Sequence, residues 1–146
     1  MNESLQLVTF TIGNEEFGID ITAVQEINRM IDITKIPNTP PHVEGVVNLR
    51  GKIIPIVSLR RQLGFEDIEH NNSTRIMVVE VDGQVLGFIV DSVSQVLRIQ
   101  DVKTEAAPSI GGGDNPYIEG VLNLPDRILI LLDLKALFGE ESRKAA

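Results

Sequence analysis

The 146-residue chain has no cysteine and no tryptophan, and only two histidines. Without cysteine there are no disulfides and no thiolate metal sites, which suits a reducing compartment. No apolar run approaches the roughly 20 residues that span a bilayer. The N-terminus MNESLQLVTF also lacks the basic-then-apolar pattern of a secretory signal. Cations are scarce: 13 Lys and Arg stand against 21 Asp and Glu, a net charge of −8. A field of that sign repels phosphate backbones and anionic lipid, which argues against nucleic acid and against membrane insertion or surface binding. One tyrosine and five phenylalanines with no basic clustering leave no platform for stacking bases.

Catalytic chemistry is equally thin. His42 and His70 have no partner at ligand or triad spacing and read as solvent-exposed. Gly111-Gly112-Gly113 lacks the lysine and Ser/Thr of a phosphate loop and reads as a tether. Ser58 has no base beside it in sequence, and a helix-capping role suffices for it. The acidic residues form no spaced pair in an apolar frame. No metal, no cofactor and no enzymatic activity are expected.

What the chain does contain is an internal repeat. VEGVVNLRGKIIPIVSLRRQLG (Val43 to Gly64) returns as IEGVLNLPDRILILLDLKALFG (Ile118 to Gly139), identical at eight of twenty-two positions. TFTIGNEEFGIDITAVQEI (Thr9 to Ile27) aligns with VVEVDGQVLGFIVDSVSQV (Val78 to Val96), which matches Gly18 to Gly87, Thr22 to Asp91 and Val24 to Val93. The offset is 69 residues in this pair and 75 in the first, so the second copy has grown by six in the Gly- and Pro-rich loop Asp101 to Pro116. Repeat 1 covers about 5–65 and repeat 2 about 76–139, joined by the polar linker EDIEHNNSTR over 66–75.

Within each copy the signals are those of strands. Val8, Phe10 and Ile12 alternate with Thr9 and Thr11, which reads as a half-buried strand with a wet face. KIIPIVSL and RILILLDL read as strands buried on both faces, and Pro55 asks for an edge or a bulge. GNEE and DGQ are turn sequences. Ser58 and Asp133 are matching N-cap candidates, and Gly64 and Gly139 are matching C′ glycines. Some five short strands per copy with little helix predict two small barrels that bury a third core between them. Strands could also cross between the two copies.

Two features point to a partner. The hairpin tip Arg50-Gly51 faces Pro125-Asp126 in the second copy, so the turn does not require an arginine. Arginine is well suited to hold a carboxylate or an amide edge at an interface. Ile21, Val24 and Ile27 recur every third residue. If Thr22 opens a helical turn, they form an apolar stripe beside the hairpin.

FTIGNEEFGIDITAVQEI, NTPPHVEGVVNLRGKIIPIVSLRRQLG, GFIVDSVSQVLRI and ILILLDLKALF closely resemble the CheW family of chemotaxis coupling proteins. The resemblance runs from about Leu7 to Phe138, and E-G-V-V-N-L-R-G-K-I-I-P-I-V is its most specific segment. It implies a mainly β fold of two small five-stranded SH3-like β-barrels packed side by side, with short helices, in one CheW-like domain over 1–146. It implies a cytoplasmic, non-enzymatic adaptor recruited to membrane-bound receptor arrays. The implied partners are the chemoreceptor cytoplasmic tip, a helical hairpin, and the regulatory domain of the histidine kinase CheA. Carried onto the matching positions, the receptor-binding residues are Val8, Ile21, Val24, Glu26, Ile27, Gly45, Arg50 and Val93. Arg50 is the expected polar clamp, and Gly45 is expected to permit close backbone approach. The kinase-binding residues are left unknown, and the loop Asp101 to Pro116 receives no role. Alternatives are an adaptor of a non-flagellar chemosensory pathway and a small-molecule-binding barrel module.

Overall fold

The structure, a computed structural model, describes residues 4–100, 104–105 and 116–138. Gly139 and most of the loop Asp101 to Pro116 lie outside the described residues. The first repeat gives β1 (Ser4–Ile12), β2 (Glu15–Asp20), a 3₁₀ turn (Ile21–Ala23), β3 (Val24–Arg29), β4 (Val43–Leu49), β5 (Lys52–Ser58) and α1 (Leu59–Leu63). The second gives β6 (Arg75–Val81), β7 (Gln84–Val90), β8 (Ser92–Gln100), β9 (Thr104–Glu105), β10 (Ile118–Asn123), β11 (Ile128–Leu132) and a helical turn over 134–138.

The strands do cross between copies. One sheet runs β8-β1-β2-β11-β10-β9 and the other β3-β6-β7-β5-β4. Under the repeat, β3 matches β8, β6 matches β1, β7 matches β2, β5 matches β11 and β4 matches β10. The two five-strand orders are therefore the same order, and each sheet takes strands from both copies. The first sheet adds β9 at its edge as a sixth strand. Each exchange is joined by a parallel pairing, β2 with β11 and β7 with β5, and all other pairings are antiparallel. Neither sheet closes strand to strand. The five-stranded one is bridged by Thr34, which exchanges backbone hydrogen bonds with Val46 on the outer edge of β4 at 2.9 Å each way.

Alternation divides the apolar side chains among three cores. Ile54, Ile56, Ile76, Val78, Val47 and Ile89 fill the interior of the five-stranded barrel. Leu7, Leu122, Leu129 and Leu131 fill the other. The largest core lies at the seam and takes Val8, Phe10, Phe17, Met77, Val79, Phe88 and Phe138 among others. Thr9 is fully buried, so β1 has no wet face there. Its side chain shares the barrel interior with Leu7, and its hydroxyl donates to the Gln95 carbonyl and accepts from the Gln95 N–H, both at 3.2 Å, at a bulge in β8.

β5 and β11 are buried on both faces only over their later halves. Ile53 and Ile128, matching first-half residues, are 64% and 61% exposed because they lie beside the hairpin tips, beyond the parallel ladders. Pro55 lies in an interior strand, not an edge strand. It pairs opposite Val46, whose backbone groups turn outward to Thr34, and the ladder to β7 begins only at Ile56. No hydrogen bond is asked of its nitrogen. The caps form as expected: Ser58 Oγ accepts from Arg61 N–H, Asp133 Oδ1 accepts from Ala136 N–H, and Gly64 ends α1 in the left-handed region. His42 is buried, not exposed, because the turn at Pro40 carries it back so that its carbonyl accepts from Ser58 N–H at 2.7 Å.

Gly45 sits at a bulge in β4 with φ +147°, where a Cβ would lie 2.1 Å from the Thr34 carbonyl oxygen. Gly51 has φ +82° but open space around it. We expect Gly45→Ala to lower unfolding free energy by about 3 kcal/mol or more, since backbone must move. Gly51→Ala should cost about 1 kcal/mol, from conformational strain alone. Urea denaturation of the two variants checks the contrast; equal losses would mean that Thr34 does not constrain Gly45.

Candidate interaction surface

β3 and β8 are the end strands of the two sheets, and both carry a bulge. In β3, Val24 pairs with Val79 and Ile27 with Met77, with the register shift between them. Cross-strand partners share a face, and Val79 and Met77 belong to the seam core. The bulge therefore puts two residues three apart on the same face of a strand. The helical stripe expected from Ile21, Val24 and Ile27 does not form. A 3₁₀ turn capped by Asp20, not opened by Thr22, ends after Ala23, and the β-branched residues that follow enter the sheet. β8 repeats the device, with Val93 opposite Phe10 and Val96 opposite Val8.

Each end strand thus lays two apolar residues along the seam. Ile21, Val24 and Val93 are half-buried against the seam core, whereas Ile27 is 40% and Val96 53% exposed. Val96 was missed from sequence, although the 69-residue offset maps Ile27 directly onto it. Val8 is corrected in the other direction. It is 2% exposed, and its side chain packs beneath this strip and offers no surface. Gly45 is also buried, and the close backbone approach it permits is that of Thr34 within the chain.

Arg50 occupies the β4–β5 tip with φ 52°, beside Gly51. Two successive positive φ values make a turn that favours Asn-Gly, so the turn itself does not call for arginine. Asn48 Oδ1 steadies the tip by accepting from Gly51 N–H at 3.0 Å. The Arg50 guanidinium reaches across the barrel to the Glu26 carboxylate on β3, the strand at the other end of its sheet. Asn28 Nδ2 donates to the second Glu26 oxygen at 2.7 Å. The Asn28 amide first, and Arg50 next, hold the Glu26 carboxyl below its usual range. The Arg50 side chain remains 77% exposed, open to a further acceptor.

Asp91, matched to Thr22 by the repeat, does different work. It receives Arg60 Nε at 2.9 Å, Arg60 Nη2 at 2.6 Å and the Gly13 N–H at 2.8 Å. This ties α1 and the β1–β2 turn to the β7–β8 corner. Burial pushes the Asp91 carboxyl up, but Arg60 and the Gly13 amide outweigh it, and its pKa lies below the ordinary value. A pocket of about 180 Å³ beside this pair is lined by Arg60, Arg61, Asp67, His70 and Asp91 among others. Its arginines already face Asp91, Asp67 and Glu44, so it offers no uncommitted guanidinium to a ligand. Among the described residues no acidic or histidine cluster could hold a metal, and no helix is long and apolar enough to cross a membrane.

A double barrel with an apolar strip along its seam, and with the arginines of its charged pocket already paired to carboxylates, is an interaction module. Comparison with known proteins gives the same class. Residues 6–142 match the CheW-like domain, and the chain belongs to the CheW family, which comprises scaffolding and adaptor proteins of chemotaxis and not enzymes. The chain is 38% identical to the chemotaxis protein CheW of Klebsiella aerogenes over 137 residues, covering 93% of this chain and 82% of that one. It is 35% identical to the chemotaxis protein CheW of Rhizobium meliloti over 146 residues, covering 99% and 94%. The scaffolding protein TtCheW from Thermoanaerobacter tengcongensis has a similar structure, with a TM-score of 0.81 at 35% identity over 90% of each chain.

The Arg60–Asp91 pair has a signed pH consequence. A carboxyl with a depressed folded pKa adds stability above its unfolded pKa of about 3.9, and that stability is lost as pH falls through the lower folded value. We expect Asp91→Asn to lose about 2 kcal/mol at pH 7, with the gap to wild type narrowing below about pH 3.9. Thermal melts from pH 7 to pH 2 measure this; a gap that stays constant across the range would discard the pair as its source.

Proposed function

We propose that the chain is a coupling adaptor that links chemoreceptors to the histidine kinase CheA. The observation that carries this reading is the strip formed by Ile21, Val24, Ile27, Val93 and Val96 along the seam of a CheW-family fold. A row of apolar residues on strands suits the side of a helix, whose own apolar residues recur every three to four positions. The receptor tip, a helical hairpin, is the proposed occupant. Glu26 precedes Ile27 on β3, and Arg50, which pairs with it, would clamp an acceptor on the hairpin. Recruitment to membrane receptors would follow from this contact and would need no membrane segment in the chain.

The kinase contact falls to other surfaces. Ile53 and Ile128 occupy matching exposed positions beside the two hairpin tips, so the repeat presents one apolar side chain at the same point of each barrel. We assign one or both to the regulatory domain of CheA.

Reconstitution tests the whole reading. Adding the protein to receptor-containing membranes and its cognate CheA should raise autophosphorylation of the kinase; an unchanged rate would sink the coupling role. Ile27→Ser and Arg50→Ala should each weaken receptor binding about tenfold or more, at roughly 1.4 kcal/mol per tenfold. The melting temperature of Arg50→Ala should move little, since an exposed ion pair is worth about 1 kcal/mol at most. Ile53→Asp should weaken kinase binding and spare receptor binding, and the reverse pattern would exchange the two assignments.

A further inference from the structure

The arginines sort by location. Seven lie among the described residues, and Arg50, Arg60, Arg61 and Arg127 each pair with a carboxylate. Arg29, Arg75 and Arg98 form no ion pair with a described residue, although acidic residues outnumber basic ones in the chain by 21 to 13. Strand alternation places all three on the seam face. Arg29 is two residues beyond Ile27 on β3 and pairs opposite Arg75, itself two residues before the seam-core residue Met77. Arg98 is two residues beyond Val96 on β8.

The repeat copies this arrangement. V-Q-E-I-N-R (Val24 to Arg29) and V-S-Q-V-L-R (Val93 to Arg98) share one pattern, two apolar residues three apart followed by an arginine two residues on. Both bulges precede the second apolar residue, so the three side chains of each copy face one way. Like charges directly opposite on adjacent strands destabilise a sheet, and Arg29 faces Arg75 in that way. Arg75 is steadied only by backbone carbonyls, with Nη1 donating to Asn72 O at 2.7 Å and to Thr74 O at 2.9 Å. Arg29 and Arg75 share the wall of an open cavity of about 440 Å³ with Met30, Asn71, Asn72 and Thr74.

We infer that Arg29, Arg75 and Arg98 receive carboxylates of the segment that covers the strip, so the partner is a helical segment whose apolar face is bordered by Glu or Asp. This rests on the reading of the strip given under Proposed function. Charge complementarity carries it: guanidinium groups with no carboxylate partner among the described residues end both apolar rows, and the like-charged Arg29·Arg75 pair is relieved by a shared anion. Two residues of strand span about 6.8 Å, which corresponds to four or five residues of helix. The partner's carboxylate therefore lies about one helical turn beyond the apolar side chain that meets Ile27. The chain's overall negative charge repels acidic segments elsewhere, so these arginines steer an acidic helix to the seam.

Surface plasmon resonance on an immobilised receptor cytoplasmic fragment tests this, at about 50 mM and about 300 mM salt, where screening lengths differ severalfold. Arg29→Glu with Arg98→Glu should slow association about tenfold at low salt and flatten the salt dependence, with dissociation little changed. Ile27→Ser should speed dissociation at both salts. Arg29→Glu replaces a like pair by an opposite one, so its melting temperature should be at or above wild type, which separates lost binding from lost folding. Wild-type association rate and salt slope in the double variant would overturn the inference. If Ile27→Ser still weakened binding in that case, the strip reading would survive; if it too bound as wild type, both would fall.

Discussion

Two parallel pairings, β2 with β11 and β7 with β5, hold the rest of the molecule in place. Each joins a hairpin of one repeat to a hairpin of the other, so neither copy completes a sheet alone. The seam core follows from the exchange, because β1 and β2 of the first copy and β6 and β7 of the second present their outer faces to each other. A chain of this length split into two independent barrels would leave each with a small core and a marginal stability. Sharing strands converts two small cores into three connected ones, and the largest belongs to both copies.

The interaction surface inherits that dependence. Its apolar residues come from β3 and the 3₁₀ turn before it on one side and from β8 on the other, the two strands lying at equivalent places in equivalent sheets. A bulge in each end strand bends the period of two so that residues three apart face the same way. The edge strand, normally a hazard for uncontrolled pairing, is thereby made irregular and given arginines, both recognised ways of discouraging strand addition. The chain carries a like-charged Arg29·Arg75 pair at this place while Arg50, Arg60, Arg61 and Arg127 are neutralised by carboxylate partners. A local cost of that kind is expected where a surface awaits a partner and not where it only holds a fold together.

Much of this was legible from residues. The doubled frame, the hairpin turns, the caps at Ser58 and Asp133 and the need for three cores follow from short-range chemistry and from alternation. The failures have a common origin. His42 read as exposed, because nothing near it in sequence shows that Ser58 will draw its carbonyl inward. Gly45 read as room for a partner, when the approaching backbone is that of Thr34, eleven residues earlier. Val8 is expected as a receptor contact on the strength of resemblance, yet it is 2% exposed, beside its cross-strand neighbour Val96, 88 residues later in the chain. Val24 and Ile27 suggested a helix, because spacing alone does not distinguish a helical turn from a bulged strand.

By itself the sequence determined which residues alternate, where the chain turns, that a unit occurs twice and that no catalytic or metal-binding set is encoded in a recognisable spacing. These are properties of neighbours a few residues apart, governed by backbone sterics and local hydrogen bonds. Only the tertiary structure decided which copy each strand joins, that Arg50 pairs with Glu26 across the barrel and that Arg29, Arg75 and Arg98 stand on one face with no carboxylate partner among the described residues. Those outcomes depend on contacts between distant segments. The two copies offer nearly equal pairing partners, and the choice is made by the seam core, which forms only when both are present.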